Sequence, residues 1–362
     1  MNRIIFGGGF DPIHLGHINM ALVAKESLKG EVIFVPAKIA VWKEDSVSVE
    51  HKLAMLKLAI AKYDGFSIDT FEIDQKEQPR SYQTVEYFKK KYPKDKLFFL
   101  IGQDQANSFD LWTNPDEIAK NTQIVYYKRP KYIVNQANVE RFKMQAIEGP
   151  VVDVSSSDIR SLKSLAINEE VLNYIEQNNL YFIPKIRSYI KESRFLHSLE
   201  VAHLAYHIAK IHGLDYQKAY IAGILHDIAK GIDKDESLRL MKEFYPGYLD
   251  IGAYAYHQFL GEMLAKRDFD VVDQEILDAI KFHTTGRGNM TWLEKLIYAA
   301  DKIEPTRGFD SSDLIKAMEK DFDSGFVTVL EANAEYLMKN NKLNDNRLTT
   351  KCFQTHLTYH GR

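Results

Sequence analysis

Cysteine is almost absent from these 362 residues; Cys352, close to the C-terminus, stands alone. A single cysteine excludes an intramolecular disulfide and any metal site built from paired thiolates. An excess of basic charge is also missing. Up to Pro184 the chain has 23 basic and 24 acidic residues, and beyond it 24 and 26. Neither half has the charge of a non-specific nucleic-acid binder, so no nucleic-acid partner is expected and any phosphate-binding charge must be local. No apolar run is long enough to span a bilayer. The opening Met-Asn-Arg-Ile-Ile-Phe meets glycine too early for the apolar core of a signal segment. Repeats and low-complexity stretches are lacking too. These absences predict a cytoplasmic chain with no membrane partner, and they leave the oligomeric state open.

What is present is ordinary globular composition, 45% hydrophobic and 27% charged. Its length suggests two domains. In the first half, short apolar segments alternate with helical patterns. Strands are expected at residues 3–6, 31–36, 67–73, 97–101 and 123–127, and helices at 16–29, 50–63 and 83–92. The run Leu97-Phe98-Phe99-Leu100-Ile101 marks a strand buried on both faces. Such alternation implies βαβ units and a doubly wound parallel sheet. After Pro184 the apolar residues recur at helical spacing, as in Leu196, Val201, Leu204, Ala205 and Ile208. The expected domains are therefore an α/β unit over 1–184 and an all-α unit over 185–362. The polar stretch from about Asn340 is expected to be loosely ordered.

The first chemical signal is Gly7-Gly8-Gly9-Phe10-Asp11-Pro12-Ile13-His14-Leu15-Gly16-His17. Glycines after a strand let the backbone approach a phosphate. A helix beginning near His14 presents free N–H groups to an anion. Two imidazoles there can donate hydrogen bonds to a phosphate gaining charge, with no protein nucleophile required. A Gly-rich strand–helix turn alone is weak evidence, because dinucleotide-binding turns look similar; the paired His-x-Gly-His is far more specific.

With this segment, residues 1–183 resemble the HxGH adenylyltransferases, and more closely bacterial nicotinate-nucleotide adenylyltransferases. Further matches are Pro36 to Lys43, Ser81-Tyr82-Gln83-Thr84, Gly102-Gln103-Asp104 with Leu111-Trp112, Lys128-Arg129-Pro130, and Val154-Ser155-Ser156-Ser157-Asp158-Ile159-Arg160. The resemblance implies a Rossmann-like fold. It makes His14, His17, Lys43 and Arg160 catalytic. Gly7, Gly8, Gly9, Phe10, Asp104, Ser155, Ser156 and Ser157 become nucleotide contacts, and Thr84, Trp112 and Arg129 acceptor contacts. Bland readings stand beside several of these: a solvated Lys43, a core Trp112, a helix cap at Ser155. The third glycine, Ala40-Val41-Trp42 and Gln103 depart from the family pattern without removing a charged group.

The second signal is His226-Asp227 in an apolar stretch. An unpaired buried carboxylate is costly, and a metal would neutralise it. His197 upstream and Asp301 downstream complete a mixed nitrogen and oxygen set that suits iron, manganese or another divalent ion. His257 and His283 are candidates for a second metal or for phosphate contacts. On spacing alone, a satisfied core His-Asp pair serves equally well. The ordered set resembles the HD metal-dependent phosphohydrolases. His283-Thr284-Thr285-Gly286-Arg287 and Ala300-Asp301-Lys302-Ile303-Glu304-Pro305-Thr306-Arg307 resemble the HD-type symmetrical diadenosine tetraphosphate hydrolases over roughly 186–340. That resemblance implies an all-α HD-domain helical bundle and makes His197, His226, Asp227 and Asp301 metal ligands. Arg194, Lys230, His257, His283, Thr284 and Arg307 become nucleotide or phosphate contacts. His203, His207 and His212 match nothing and read as structural or surface residues, although His203 and His207 share a helix face at a spacing that could also hold a metal.

Together these imply a bifunctional enzyme. The front domain would join ATP, with Mg²⁺, to nicotinate mononucleotide, giving deamido-NAD and pyrophosphate. The rear domain would hydrolyse diadenosine tetraphosphate to two ADP at a metal centre that can be dinuclear. Nicotinamide mononucleotide or a phosphopantetheine stays open as acceptor. Another phosphate ester, or a regulatory nucleotide-binding role, stays open for the rear domain.

Overall fold

A computed structural model describes residues 1–38, 46–129, 133–340 and 346–357. The chain divides into two compact units, Met1–Tyr181 and Phe182–Arg362. Pro184, where the sequence changes rhythm, lies in the first turn of helix Phe182–Tyr189. A proline is tolerated there because the first N–H groups of a helix have no internal partner.

The first unit contains strands β1 (Asn2–Gly8), β2 (Glu31–Pro36), β3 (Phe66–Ile68), β4 (Lys96–Gly102), β5 (Gln123–Tyr127) and β6 (Gln145–Ile147). They form one sheet in the order β3-β2-β1-β4-β5-β6, with every pairing parallel. Its helices include α1 (Leu15–Leu28), α2 (Val49–Ile60), α3 (Phe71–Asp74), α4 (Ser81–Lys91), α5 (Gln103–Asn107), α6 (Pro115–Asn121), α7 (Gln136–Arg141), α8 (Ser156–Arg160) and α9 (Glu169–Gln177). Residues Ile4 to Phe6, Val32 to Val35 and Leu97 to Ile101 are all buried, as a parallel sheet covered on both faces requires. The chain leaves β1 toward β2 and leaves β4 toward β5, on opposite sides. The carboxyl ends of β1 and β4 therefore flank the switch point where such sheets bind ligands.

Two local expectations change. Of the alternating 67–73 segment only Ser67 and Ile68 join the sheet, in β3. The Asp69 carboxylate accepts the Phe71 N–H at 2.9 Å, a side-chain turn that ends the strand and starts α3. Strand β6 carries no sequence signal, being three residues long with two of them exposed.

Among its described residues the second unit has helices joined by loops and no strand: α10 (Phe182–Tyr189), α11 (Glu192–Ile211), α12 (Tyr216–Leu225), α13 (Lys234–Phe244), α14 (Tyr256–Asp268), α15 (Gln274–Phe282), α16 (Trp292–Ile303), α17 (Ser312–Lys320), α18 (Phe322–Lys339) and α19 (Arg347–His356). Helices α11 and α12 pack against each other and against α16. A Cβ at Gly223 would lie 2.7 Å from the Ala202 Cα, so glycine permits this close crossing. Within the C-terminal stretch the described residues 346–357 form a further helix. Helix α19, capped by Asn346, buries Thr349 and Cys352 three residues apart on one face. A polar look is misleading when a helix buries only a narrow stripe. No helix among the described residues is long and apolar enough to cross a membrane.

Candidate active sites

At the end of β1, His14 caps α1 and His17 sits in its first turn. The His17 N–H donates to His14 Nδ1 at 3.3 Å, and the His14 N–H donates to His17 Nδ1 at 3.4 Å. The two rings stack with centroids 3.7 Å apart. Because both Nδ1 atoms accept, each ring carries its proton on Nε2. A Cβ at Gly16 would press within 3.0 Å of the His14 ring, so the glycine between them allows the pairing. Burial, then the charge of Arg129, pushes the His14 pKa down to about 4. Burial, His14 and Arg129 hold His17 well below its ordinary value. At neutral pH the pair is a set of uncharged N–H donors.

The loop before them is pinned from far along the chain. Tyr181 donates its hydroxyl to Asp11 Oδ1 at 2.7 Å, Arg160 Nη1 donates to the Asp11 carbonyl at 2.7 Å, and Ser156 Oγ donates to the Pro12 carbonyl at 2.9 Å. Asp11 and Tyr181 were not singled out as site residues from sequence; the position of Asp11 inside the motif was the available signal. Asp11 Oδ2 has no hydrogen-bond partner, and the charge of buried Lys52 reaches Asp11.

Several expected contacts are placed differently. Gly7 and Gly8 belong to β1 and pair with Val35 and Pro36. A Cβ would meet open space at Gly7 and Gly9, but the Phe10 ring 3.0 Å away at Gly8. Phe10 is 1% exposed and packs edge-on against His17, so it backs the histidine rather than facing a nucleotide. Ser155 spends its hydroxyl on the α8 cap, accepting the Asp158 N–H and donating to the Asp158 carboxylate. Ser156 is committed to Pro12, which leaves Ser157 exposed on that helix. Arg129 belongs with the histidines, whose titration it shifts; its own N–H is held by buried Gln103 at 2.6 Å. Thr84 is 1% exposed and donates to Glu72 at 2.7 Å, so it is closed off from an acceptor ring. Trp112 packs against the core and lines a cavity of about 300 Å³ with Arg80, Ser81 and Leu111. Asp104 is exposed just past the end of β4. Lys43 lies outside the described residues.

In the second unit, His197 on α11, His226 and Asp227 after α12, His257 on α14, His283 after α15 and Asp301 on α16 come together and are buried. All four imidazoles are oriented alike. Nδ1 of His226, His257 and His283 lies 2.6, 3.0 and 2.7 Å from the carbonyl oxygens of Gly223, Tyr254 and Ile280. Nδ1 of His197 lies 2.9 Å from Glu304 Oε1. Carbonyls and carboxylates only accept, so each Nδ1 bears the proton and each Nε2 offers a lone pair. Glu304, 1% exposed, was missed as a site residue; its i, i+3 spacing from Asp301 was the available signal.

The Nε2 atoms and carboxylates converge. His197, His226 and Asp227 form one ligand group, and Asp227, His257 and His283 another. Asp301 Oδ1 lies 3.1 Å from His197 Nε2 and 3.6 Å from His226 Nε2. Asp227 Oδ1 lies 3.3 and 3.4 Å from His257 and His283 Nε2, and has no hydrogen-bond partner. His226 Nε2 is likewise buried without one. Crowded acceptors and an orphaned carboxylate oxygen fit a cation at the centre. Burial would raise the Asp227 pKa, yet His226, His283 and His257 hold it well below the carboxylate range. Burial would lower His226, yet Asp227 and Asp301 push it up to about 9; the carboxylates draw positive charge to Nε2, where a proton and a metal ion compete for the one lone pair. The rim is cationic: Arg194 Nη1 lies 2.9 Å from Asp227 Oδ2 and Lys302 Nζ 2.8 Å from Asp301 Oδ2, Arg307 pairs with Asp301, and the Lys230 charge reaches both aspartates. Thr284 Oγ1 is 3.0 Å from the Nε2 atoms of both His257 and His283. Of the described histidines outside the cluster, His207 pairs with Glu319 and His212 meets the Met318 carbonyl.

These two sites define a nucleotidyltransferase-type unit joined to an HD-type unit. Residues 5–162 match the cytidylyltransferase-like family and residues 194–306 the HD domain family. A probable nicotinate-nucleotide adenylyltransferase/Ap4A hydrolase of Mycoplasma genitalium is 31% identical over 343 residues, covering 91% of this chain and 96% of that protein. The chain belongs to this two-domain family. Single-domain relatives match each half. The symmetrical bis(5'-nucleosyl)-tetraphosphatase of Bacillus subtilis is 37% identical over 43% of this chain and 86% of its own length. A probable nicotinate-nucleotide adenylyltransferase of Carboxydothermus hydrogenoformans is 36% identical over 49% of this chain and 96% of its own length.

Proposed function

We propose that the first unit transfers AMP from ATP to nicotinate mononucleotide, and that the second hydrolyses diadenosine tetraphosphate to two ADP. The opposite hydrogen placement on the two histidine sets supports both assignments. In the first unit, a phosphate oxygen of the acceptor attacks the α-phosphorus of Mg²⁺-ATP in line. The bond to the β-phosphate oxygen breaks and pyrophosphate leaves. His14 and His17 direct Nε2–H groups at the phosphate oxygens, donors that need no reorganisation during the reaction. Arg129, Arg160 and Lys43 supply positive charge around the triphosphate, while Gly7 and Gly9 leave room for it. Asp104 binds ribose hydroxyls. The acceptor ring stacks on Trp112, and Arg80 in the same cavity takes its carboxylate, a task closed to the sealed Thr84.

In the second unit, His197, His226, Asp227 and Asp301 would hold one divalent ion. His257 and His283 would hold a second, with Asp227 shared. Such ions supply an acidified water and Lewis acidity toward a phosphoryl oxygen. The chain's own task is to fix four lone pairs through Nδ1, exclude bulk water and bind the polyphosphate with Arg194, Lys230, Lys302 and Arg307. Iron or manganese fits the mixed nitrogen and oxygen donors.

Incubation of the full chain with Mg²⁺-ATP and each candidate acceptor tests the first assignment; absence of deamido-NAD from nicotinate mononucleotide sinks it. Diadenosine tetraphosphate with iron or manganese tests the second. ADP as the sole nucleotide product supports it, and unchanged substrate, or AMP with ATP, rules it out.

A further inference from the structure

Beside the metal-ligand cluster lies a cavity of about 470 Å³ formed by α16, α17, α18 and the loop between α16 and α17. This volume is in the range of small-ligand sites. We propose that it is a nucleoside pocket that holds one adenosine end of a dinucleoside polyphosphate; the proposal rests on the hydrolase reading above. Its walls change character along their length. One end holds Lys302 and Arg307, both of which engage the Asp301 carboxylate and so adjoin the proposed metal centre. The rest is lined by Leu314, Val329, Phe309 and Tyr336. Phe309 and Tyr336 are 51% and 52% exposed, so both rings are reachable from solvent by a ligand entering the cavity. A nucleotide has the same polarity, with charged phosphates at one end and a flat apolar base at the other. Phosphates would meet the cations and the base would stack on the aromatic rings.

Asn333 supplies a means of choosing the base. It lines the cavity, and its amide nitrogen donates to the buried Tyr298 hydroxyl at 2.7 Å. That bond fixes the amide orientation and leaves the carbonyl oxygen as an acceptor. An acceptor suits the exocyclic amine of adenine and repels the 6-keto oxygen of guanine.

The test is binding of ADP and of inorganic pyrophosphate to the full-length, manganese-loaded protein, by calorimetry, with Phe309→Ala and Tyr336→Ala. Both positions are half exposed, so thermal melting should be unchanged. ADP should bind about tenfold more weakly to each variant, with pyrophosphate unaffected. Wild type should prefer ADP to GDP. Equal ADP affinity in wild type and both variants, a parallel loss of pyrophosphate binding, or no ADP binding to wild type would overturn the proposal. If ADP binds as expected while diadenosine tetraphosphate is not cleaved, the pocket stands and the hydrolase reading fails.

Discussion

The two units use the same side chain in opposite ways. In the first, His14 and His17 accept backbone N–H groups on Nδ1, so Nε2 carries the proton. In the second, His197, His226, His257 and His283 each give the Nδ1 proton to an oxygen, so Nε2 carries a lone pair. A neutral imidazole has one donor and one acceptor, and the partner of one nitrogen decides the role of the other. The first arrangement addresses an anion and the second a cation. The difference comes from where the ring sits on its helix. His14 and His17, at a helix N-terminus, meet free N–H groups, whereas His226 and His283, just past the ends of α12 and α15, meet carbonyls three residues back, His257 meets the Tyr254 carbonyl in the turn before α14, and His197 meets the Glu304 carboxylate.

Breaking the shared carboxylate should have the largest effect. Asp227→Asn should lower hydrolysis roughly 10³-fold, because it removes a ligand from both proposed metal groups and leaves an amide unable to neutralise them. Metal content should fall together with the rate, while deamido-NAD formation is unchanged. Loss of transfer activity as well would tie the two sites together, against their separate histidine chemistry.

His17→Ala should lower transfer by roughly 10²- to 10³-fold, the effect of removing one preorganised donor to a developing anion. Hydrolysis in the same protein serves as the internal control. A loss of less than tenfold would argue against His17 as a phosphate donor.

The acid response sharpens the contrast further. His14 is held near 4 in the folded protein, below about 6.5 for an unfolded histidine. The unfolded chain therefore binds more protons between these values, and first-unit stability is lost as pH falls from about 6.5 to 4. The interval corresponds to roughly 3 kcal/mol. Denaturant unfolding of His14→Asn between pH 4 and 7 should show a shallower pH dependence than wild type. Transfer rates should also lack a histidine titration near pH 6.5.

The smallest effect belongs to Glu304, which positions His197 without reaching the centre. Glu304→Gln weakens the Nδ1 acceptor and should reduce metal affinity about tenfold. Competition with a chelator measures this. Full activity should return at saturating metal, which separates a positioning role from a ligand's role.

Much of this arrangement was legible in the amino-acid order. The long apolar strands and the paired histidines announced the α/β unit and its site, because buried parallel strands and a strand–helix turn leave local marks. The HD cluster was legible as a set of residue types. Other features were hidden. Thr84 looked available but is sealed against Glu72, and Ser155 is used up by its own cap. The alternation through Phe71 and Ile73 imitated a strand that an Asp69 turn had already ended. Helix α19 was concealed by its polar exposed side, although Cys352 sits where a Cβ on Gly286 would come within 2.5 Å of its sulfur.

The sequence by itself determined which chemistries were possible: two histidines beside glycines at a helix start, and histidines with aspartates but no usable cysteine pair. The change from short apolar runs to helical spacing near Pro184 also separated a strand-bearing half from a helical one, since both patterns depend on neighbours a few residues apart. Only the tertiary structure decided the protonated nitrogen of each histidine in the HD cluster, the sharing of Asp227 and the orientation of His197 by Glu304, 107 residues away in the chain. Those properties depend on contacts of about 3 Å between distant segments, and hydrogen bonding and charge at that range leave no periodic trace in the sequence.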